Sequence, residues 1–443
     1  MKLRPLFVLL SLFLSLATSA DRAPKTCVNA WKPNLGAPDF PKGFGVNIHF
    51  TEAQPGEIKM IAAAGFRWVR MDFKWDATER ERGVYDFSAY QRLMSGLDQY
   101  RIRALFILDY GNPLYDGGTP PRTENARQAF ARWAVAAAKT FAGRGVIWEL
   151  YNEPNIKMFW PPLPNVDEYI ALALVVGRAF RVVAPNEKLI GPATSGNDFP
   201  FLESCFKAGL LEYWSAVSVH PYRRSDPESV VHEYCYLREL IATYAGRRSV
   251  PSAVAGGPAR VNGEEIPIIS SEWGYSSAWR GLTENSQSEI LARQFLTNAG
   301  NGIPISIWYD WHDDGVDASE PEHHFGVARN AYRAHRELIY DPKPAYAAAL
   351  TLLRCFDGYS FQKRLDVKNE SDYVLLFAKG SDVRIAAWTT TSAHRVTIPS
   401  DVPTFTIIKH TGEPAGSISA TQGAVSIDIS NAPLYLVYRP ITQ

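Results

Sequence analysis

A chain of 443 residues has room for one large domain with a small one, or for two or three of average size. It is 46% hydrophobic and 21% charged, the balance of a folded protein that can bury a substantial core without metals. Its 46 basic and 46 acidic residues cancel, so charge gives no reason to expect nucleic acid or an anionic membrane as partner.

In chain order, Lys2 and Arg4 precede an apolar stretch over 6–17, and Thr18-Ser19-Ala20 offers a small-residue cleavage site. This pattern predicts a signal peptide over 1–20, and with it a secreted or periplasmic protein. The stretch is short for a bilayer span, and no later segment is long and apolar enough to be one. Residues 21–42 form an extension. From 43 to 355, eight short β-rich runs recur at 43–50, 67–75, 103–111, 146–155, 188–195, 216–222, 267–275 and 303–311. Helical patterns separate most of them. Phe87, Tyr90, Leu93, Leu97 and Tyr100 follow the three-and-four spacing of a core-facing helix. Thr123 can cap a helix that Gly143 stops, and a helix over 166–184 ends before Pro185. Further helices are predicted over 57–64, 283–298 and 343–355. Strand then helix, eight times, predicts a (β/α)₈ barrel. Residues 252–264, rich in Gly and Ala, read as an irregular loop. After Cys355 only short strand patterns remain, at 373–378, 383–389, 395–398, 404–409, 424–429 and 434–438. They predict a small all-β sandwich over 356–443.

Four cysteines allow three pairings. Cys205–Cys235 with Cys27–Cys355 suits the helical positions and an oxidising compartment; buried free thiols are the alternative. No cysteine spacing suggests zinc.

In such barrels chemistry sits at the C-terminal ends of the strands. The fourth run ends Trp148-Glu149-Leu150-Tyr151-Asn152-Glu153-Pro154-Asn155 and the seventh Ile269-Ser270-Ser271-Glu272-Trp273-Gly274-Tyr275. Each puts a Glu at its strand tip, on roughly opposite sides of the ring. Glycoside hydrolysis needs such a pair, one carboxyl to protonate the leaving oxygen and one to attack the anomeric carbon. Their surroundings must push their pKa values apart. Asn-Glu-Pro alone is a weak signal; two strand-end Glu residues together are a stronger one.

These segments resemble clan A glycoside hydrolases, particularly families 5 and 39. Residues 148–155 are similar to their acid/base motif and 268–275 to their nucleophile motif. Arg67-Trp68-Val69-Arg70 with Trp75, His220-Pro221-Tyr222 and Trp308 are similar to their second, sixth and eighth strand ends. The resemblance implies a retaining β-glycoside hydrolase acting on a poly- or oligosaccharide, with no cofactor and no metal. It implies Glu153 as acid/base and Glu272 as nucleophile. Asn152 would bind the sugar 2-hydroxyl, and Arg70 would keep Glu272 ionised, unless it pairs instead with Glu79 or Asp72. Tyr222 would donate to Glu272, His220 would line the pocket, and Trp308 would lie under the reacting sugar. One departure is the third-strand end, Leu108-Asp109-Tyr110, where family 5 usually has a histidine; this favours the family 39 side. His49 ends the first strand and is a further candidate for substrate contact. Tyr110, Tyr115, Trp160, Trp279, Trp311 and His312 fall just beyond strand ends, where sugar subsites belong. Asp313, Asp314 and Asp317 form an acidic loop without calcium-hand spacing, and His323-His324 lacks metal spacing. An endoglycosidase of bacterial exopolysaccharide is the specific expectation. The alternatives are a transglycosylase using the same residues and a barrel that binds or scaffolds glycan without cutting it.

Overall fold

The computed structural model describes residues 42–245 and 266–438. The expected signal peptide, Cys27 and the 252–264 loop lie outside them. Eight parallel strands close into a barrel: β1 (Phe44–Asn47), β2 (Trp68–Lys74), β3 (Arg103–Asp109), β4 (Ile147–Leu150), β5 (Lys188–Ser195), β6 (Val217–His220), β7 (Ile268–Trp273) and β8 (Ser306–Trp308). Each falls inside a run expected from the sequence. β1 pairs with β8 through Gly45 opposite Ile307, which closes the ring. A Cβ on Gly45 would lie 2.5 Å from Trp68 Cβ and 2.6 Å from Ile307 Cδ1, so only glycine fits there. Among the described residues, no helix is long and apolar enough to cross a membrane.

The helices that matter to the site follow the strand tips: α1 (Glu57–Ala63), α2 (Trp75–Thr78), α3 (Ser88–Gln99), α4 (Glu124–Thr140), α5 (Val166–Val183), α6 (Phe199–Lys207), α7 (Val231–Ala245), α8 (Glu284–Gly300) and α9 (Pro344–Cys355). Thr123 caps α4 by accepting from the Ala126 N–H at 3.2 Å. Asn165 caps α5 and Thr283 caps α8 in the same way, satisfying amides a helix cannot pair internally.

The barrel interior is layered. Trp68, Leu105, Ile147, Ile190, Ala216, Ile269, Ile305 and Ile307 form a separate apolar cluster inside the ring. Two residues further along their strands, on the same face, come Arg70, Ile107, Glu149, Ser218 and Ser271. The interior thus turns from apolar to charged toward the strand tips.

Beyond α9 a six-stranded sheet runs in the order β11 (Ser360–Arg364), β12 (Asp372–Lys379), β13 (Asp382–Thr389), β18 (Leu434–Val437), β15 (Thr404–Lys409), β16 (Pro414–Ser419). A two-stranded ribbon, β14 (His394–Pro399) with β17 (Ala424–Ile429), covers one face. Val374, Ile385, Ala387 and Leu436 pack against the ribbon's Val396, Ile398, Val425 and Ile427. Their neighbours Leu375, Phe377, Ala386, Trp388 and Tyr435 point the other way, into the main core. The period of two thus welds this domain to the barrel. The sequence reading overlooked β11, β16 and the hairpin β9 (Ala328–Tyr332) with β10 (Tyr340–Pro342). These are short and mostly exposed strands, whose alternation carries little signal.

The cysteine pairing needs correction. Cys205 and Cys355 are free and buried, Cys205 beside Tyr169 in the barrel core and Cys355 near Arg384 and Tyr435 under the sheet. Cys235 is disulfide-bonded, to neither of them.

Candidate active site

Glu153 follows β4 on a turn the backbone reaches by leaving β geometry. Tyr151 at φ 69° and Glu153 at φ 43° both sit in the left-handed region, which costs a non-glycine residue roughly 1 kcal/mol or more. The turn is held from outside. The Glu153 amide donates to Ala193 O at 3.0 Å, and the Tyr151 amide to Leu108 O at 3.1 Å. Asn155 accepts from the Ser195 amide at 2.9 Å and donates back to Ser195 O at 3.0 Å. The β4 tip is therefore stapled to β3 and β5. Glu272 lies in β7, whose tip is fixed from behind by α8. Gln294 donates to Trp273 O at 3.0 Å and Gln287 to Tyr275 O at 2.7 Å.

Arg70 joins these tips. It is 1% exposed, and each of its five N–H donors has a partner. Nε donates to Glu149 at 2.8 Å, and Nη1 to Glu272 and, at 3.4 Å, to Asn47. Nη2 donates to Asn152 at 2.8 Å and to His220 Nε2 at 3.2 Å. The expected pairing with Glu272 is present. The alternatives Glu79 and Asp72 are not its ion-pair partners, since Glu79 instead accepts from Tyr115, Trp75 and the Gly83 amide.

An arginine can only donate, so Nε2 of His220 must accept. The ring proton then sits on Nδ1 and is donated to Glu153 Oε1 at 2.9 Å. This leaves Oε2 of Glu153 able to carry an acidic proton. Tyr222 donates to Glu272 Oε1 at 2.8 Å. Burial alone would raise the Glu272 carboxyl. The positive charge of Arg70, with the Tyr222 hydrogen bond, overturns this and holds it below the ordinary carboxylate range. Facing oxygens of Glu153 and Glu272 lie within 4.8 Å of each other.

Of the other expected residues, His49 stands at the rim, exposed, with Nε2 3.4 Å from Asp310 Oδ2. Burial works against its charged form, but Asp310, with Asp314 and Asp72, raises its pKa to about 9. Tyr110 is half-buried, stacked parallel on Phe159 at 5.5 Å and edge-on to Tyr151. Three tryptophans need correction. Trp308 is wholly buried, its indole donating to Phe325 O at 3.1 Å, and it cannot underlie a sugar. The next residue, half-buried Tyr309, takes the open position, edge-on to His49 and within the field of Glu272. Trp160 is buried and tied to Glu168 at 2.8 Å; Trp311 is buried and tied to Glu57 at 3.0 Å. Both are core, because each ring is buried and its indole N–H is satisfied by a carboxylate of the protein. Tyr115 is likewise packed on Trp75. Of the acidic loop, Asp313 is buried against Lys343 and the Gly326 amide, a structural role.

Residues the sequence reading missed include Glu149, Asn47, Asn155, Tyr309 and Asp310. Glu149 was legible as a charge two positions after an inward Ile147. Among the described residues, two groups of side chains converge closely enough to suggest a cation: Glu153 with His220 and Glu272, and His49 with Asp310 and Asp314. In the first, Arg70 already supplies a positive charge to Glu272 and a donor to His220 Nε2.

Residues 39–315 match the model of the family described as cellulase (glycosyl hydrolase family 5). A β-xylosidase of Geobacillus stearothermophilus is 30% identical over 109 residues, which make up 24% of this chain and 20% of that protein. The match thus spans about a fifth of that curated relative. A family 39 glycoside hydrolase from the gut symbiont Bacteroides cellulosilyticus WH2 superposes with a TM-score of 0.74 at 25% identity, covering 90% of this chain and 81% of that one. A family 39 β-xylosidase from Caulobacter crescentus gives 0.62 at 16% identity over 91% and 98% of the two chains, a likeness of fold alone. The family 5 model ends near the barrel's last strand, whereas both family 39 structures extend over the β-domain as well. The chain is a clan A glycoside hydrolase and belongs to the cellulase family, glycosyl hydrolase family 5.

Proposed function

We propose that the protein is a retaining β-glycoside hydrolase that cleaves a poly- or oligosaccharide by double displacement. The observation that carries this reading is the close approach of the two carboxylates, one oxygen of each coming within 4.8 Å of the other. Retaining enzymes hold the pair about 5–5.5 Å apart, and inverting ones about 6.5–9.5 Å to admit a water. Glu272, kept ionised by Arg70 and Tyr222, attacks the anomeric carbon. Glu153 protonates the leaving oxygen from Oε2 while His220 fixes its other oxygen. The product is a covalent glycosyl ester on Glu272. Glu153, now ionised, takes a proton from water, which attacks the same carbon and releases Glu272. Asn152, oriented by Arg70, faces the sugar 2-hydroxyl. His49 with Asp310, Tyr110 and Tyr309 contact the sugar at the rim.

The substrate we favour is a bacterial exopolysaccharide cut internally, reached outside the cytoplasm after removal of residues 1–20. Proton NMR of the first-formed product tests the stereochemistry. A β-anomer that later mutarotates supports the reading; an initial α-anomer from a β-glycoside overturns it. Secretion is tested by fractionating cells that express the full chain, where retention of an uncleaved protein in the cytoplasm contradicts it.

A further inference from the structure

The β-domain reaches the segment behind the catalytic pocket through a buried contact. Trp388 lies in β13, wholly buried, with Tyr373 stacked on it at 5.0 Å. Its indole N–H donates to Glu228 Oε1 at 2.6 Å. Glu228 sits in the short turn Pro227–Val230, which follows β6 and leads into α7. Arg293 of α8 grips the same carboxylate with two bonds, Nε to Oε1 at 2.8 Å and Nη2 to Oε2 at 2.7 Å, and also pairs with Asp226 at 2.8 Å. All three members of this hub, Trp388, Glu228 and Arg293, are no more than 5% exposed.

What the hub holds is the segment between β6 and α7. That segment carries His220 and Tyr222 at one end and Glu228 six residues after Tyr222. It is also tied to the β7 tip, where Tyr275 donates to Ser225 O at 2.9 Å. A buried carboxylate with a bidentate arginine and an indole donor is rigid, because losing any partner leaves charge unsatisfied in a dry site. Its position therefore fixes where the chain can return from β6.

We infer that Trp388 is a positioning residue of the active site: through Glu228, the β-domain sets the β6–α7 segment so that the Tyr222 hydroxyl meets Glu272. The β-domain is then part of the catalytic apparatus, beyond its packing against the barrel. This inference rests on the reading of Glu272 as nucleophile.

Trp388→Phe removes the N–H and keeps an aromatic ring. With an aryl β-glycoside, kcat is expected to fall roughly tenfold with little change in KM, the scale of one hydrogen bond to a charged group. Added to Tyr222→Phe, it should cost nothing further, because both act on the same hydroxyl. Val396→Ala, in the far core of the β-domain, lowers stability without touching the hub and should leave kcat unchanged. Wild-type kcat in Trp388→Phe at temperatures where it is folded overturns the inference, and so do losses that multiply in the double variant. Should Trp388→Phe not fold, Glu228→Gln replaces it, with the same non-additivity expected against Tyr222→Phe. Failure of the parent reading looks different: Glu272→Ala would then retain turnover, whereas an inactive Glu272→Ala beside a fully active Trp388→Phe sinks this inference alone.

Discussion

The two ends of the barrel interior are built from the same strands and do opposite things. At the lower end, Trp68, Leu105, Ile147 and Ile269 fill the ring with hydrocarbon. Two residues on come Arg70 and Glu149, and beyond them at the strand tips Asn152, Glu153, His220 and Glu272 bring charges and amides into a largely dry space. The lower layer stabilises by leaving water. The upper layer forgoes some of that stability, since burying charge is costly even when it is paired. In exchange, every group there is fixed before substrate arrives. Preorganised charge is what the transition state needs, because no reorganisation is left for the reaction step.

Mutations should therefore separate activity from stability by layer. The largest expected effect is Glu272→Ala, which removes the proposed nucleophile and should lower kcat about 10⁵-fold with the protein still folded, as read by turnover and by melting. Glu153→Ala should cost about 10²–10⁴-fold on substrates with poor leaving groups and little in the first step for an activated aryl glycoside; azide should restore turnover. Arg70→Met should break both properties at once. It leaves buried Glu149 and partly buried Glu272 without their shared cation, a loss of about 3–5 kcal/mol in denaturant unfolding, together with activity. Ile147→Ala is the mirror case. It should cost about 2–5 kcal/mol of stability and leave kcat near wild type at low temperature.

Smaller effects refine the electrostatics. Tyr222 donates to a carboxylate whose pKa is already depressed. Removing the hydroxyl in Tyr222→Phe raises that pKa, so the acid limb of kcat/KM should move to higher pH by about one unit. Asp109 runs the other way. Burial, then Asp72, raises its carboxyl well above the usual range. A folded-state pKa above the unfolded value means that stability falls as pH rises between the two. Asp109→Asn should therefore flatten the dependence of Tm on pH and raise Tm slightly near neutrality, by about 1–2 °C.

The contrast between layers also explains what the sequence disclosed. All eight strands, six of the flanking helices and the two strand-tip glutamates were legible, because each follows from hydrophobic periodicity or from a charged residue at a strand tip. Glu149 was equally legible through its spacing from Ile147, had the interior been read as a stripe of alternate residues. The tryptophans were not. Trp160, Trp308 and Trp311 look alike as letters at or beyond strand ends, and only their burial and their indole partners Glu168, Phe325 O and Glu57 mark them as core. Tyr309 was hidden for the same reason, since one step along the chain decides which of two adjacent aromatics faces the pocket. The grip of Arg293 on Glu228, 65 residues away, depends on tertiary placement that no local pattern carries.

The most direct test of the account is to trap the intermediate. A 2-deoxy-2-fluoro glycoside with a dinitrophenyl leaving group, in the sugar series the protein turns over, should inactivate it by accumulating one glycosyl unit. Peptide mass spectrometry should then find that unit on Glu272. Label on a different carboxylate, or steady hydrolysis of the parent substrate with no adduct at all, would contradict direct attack by Glu272.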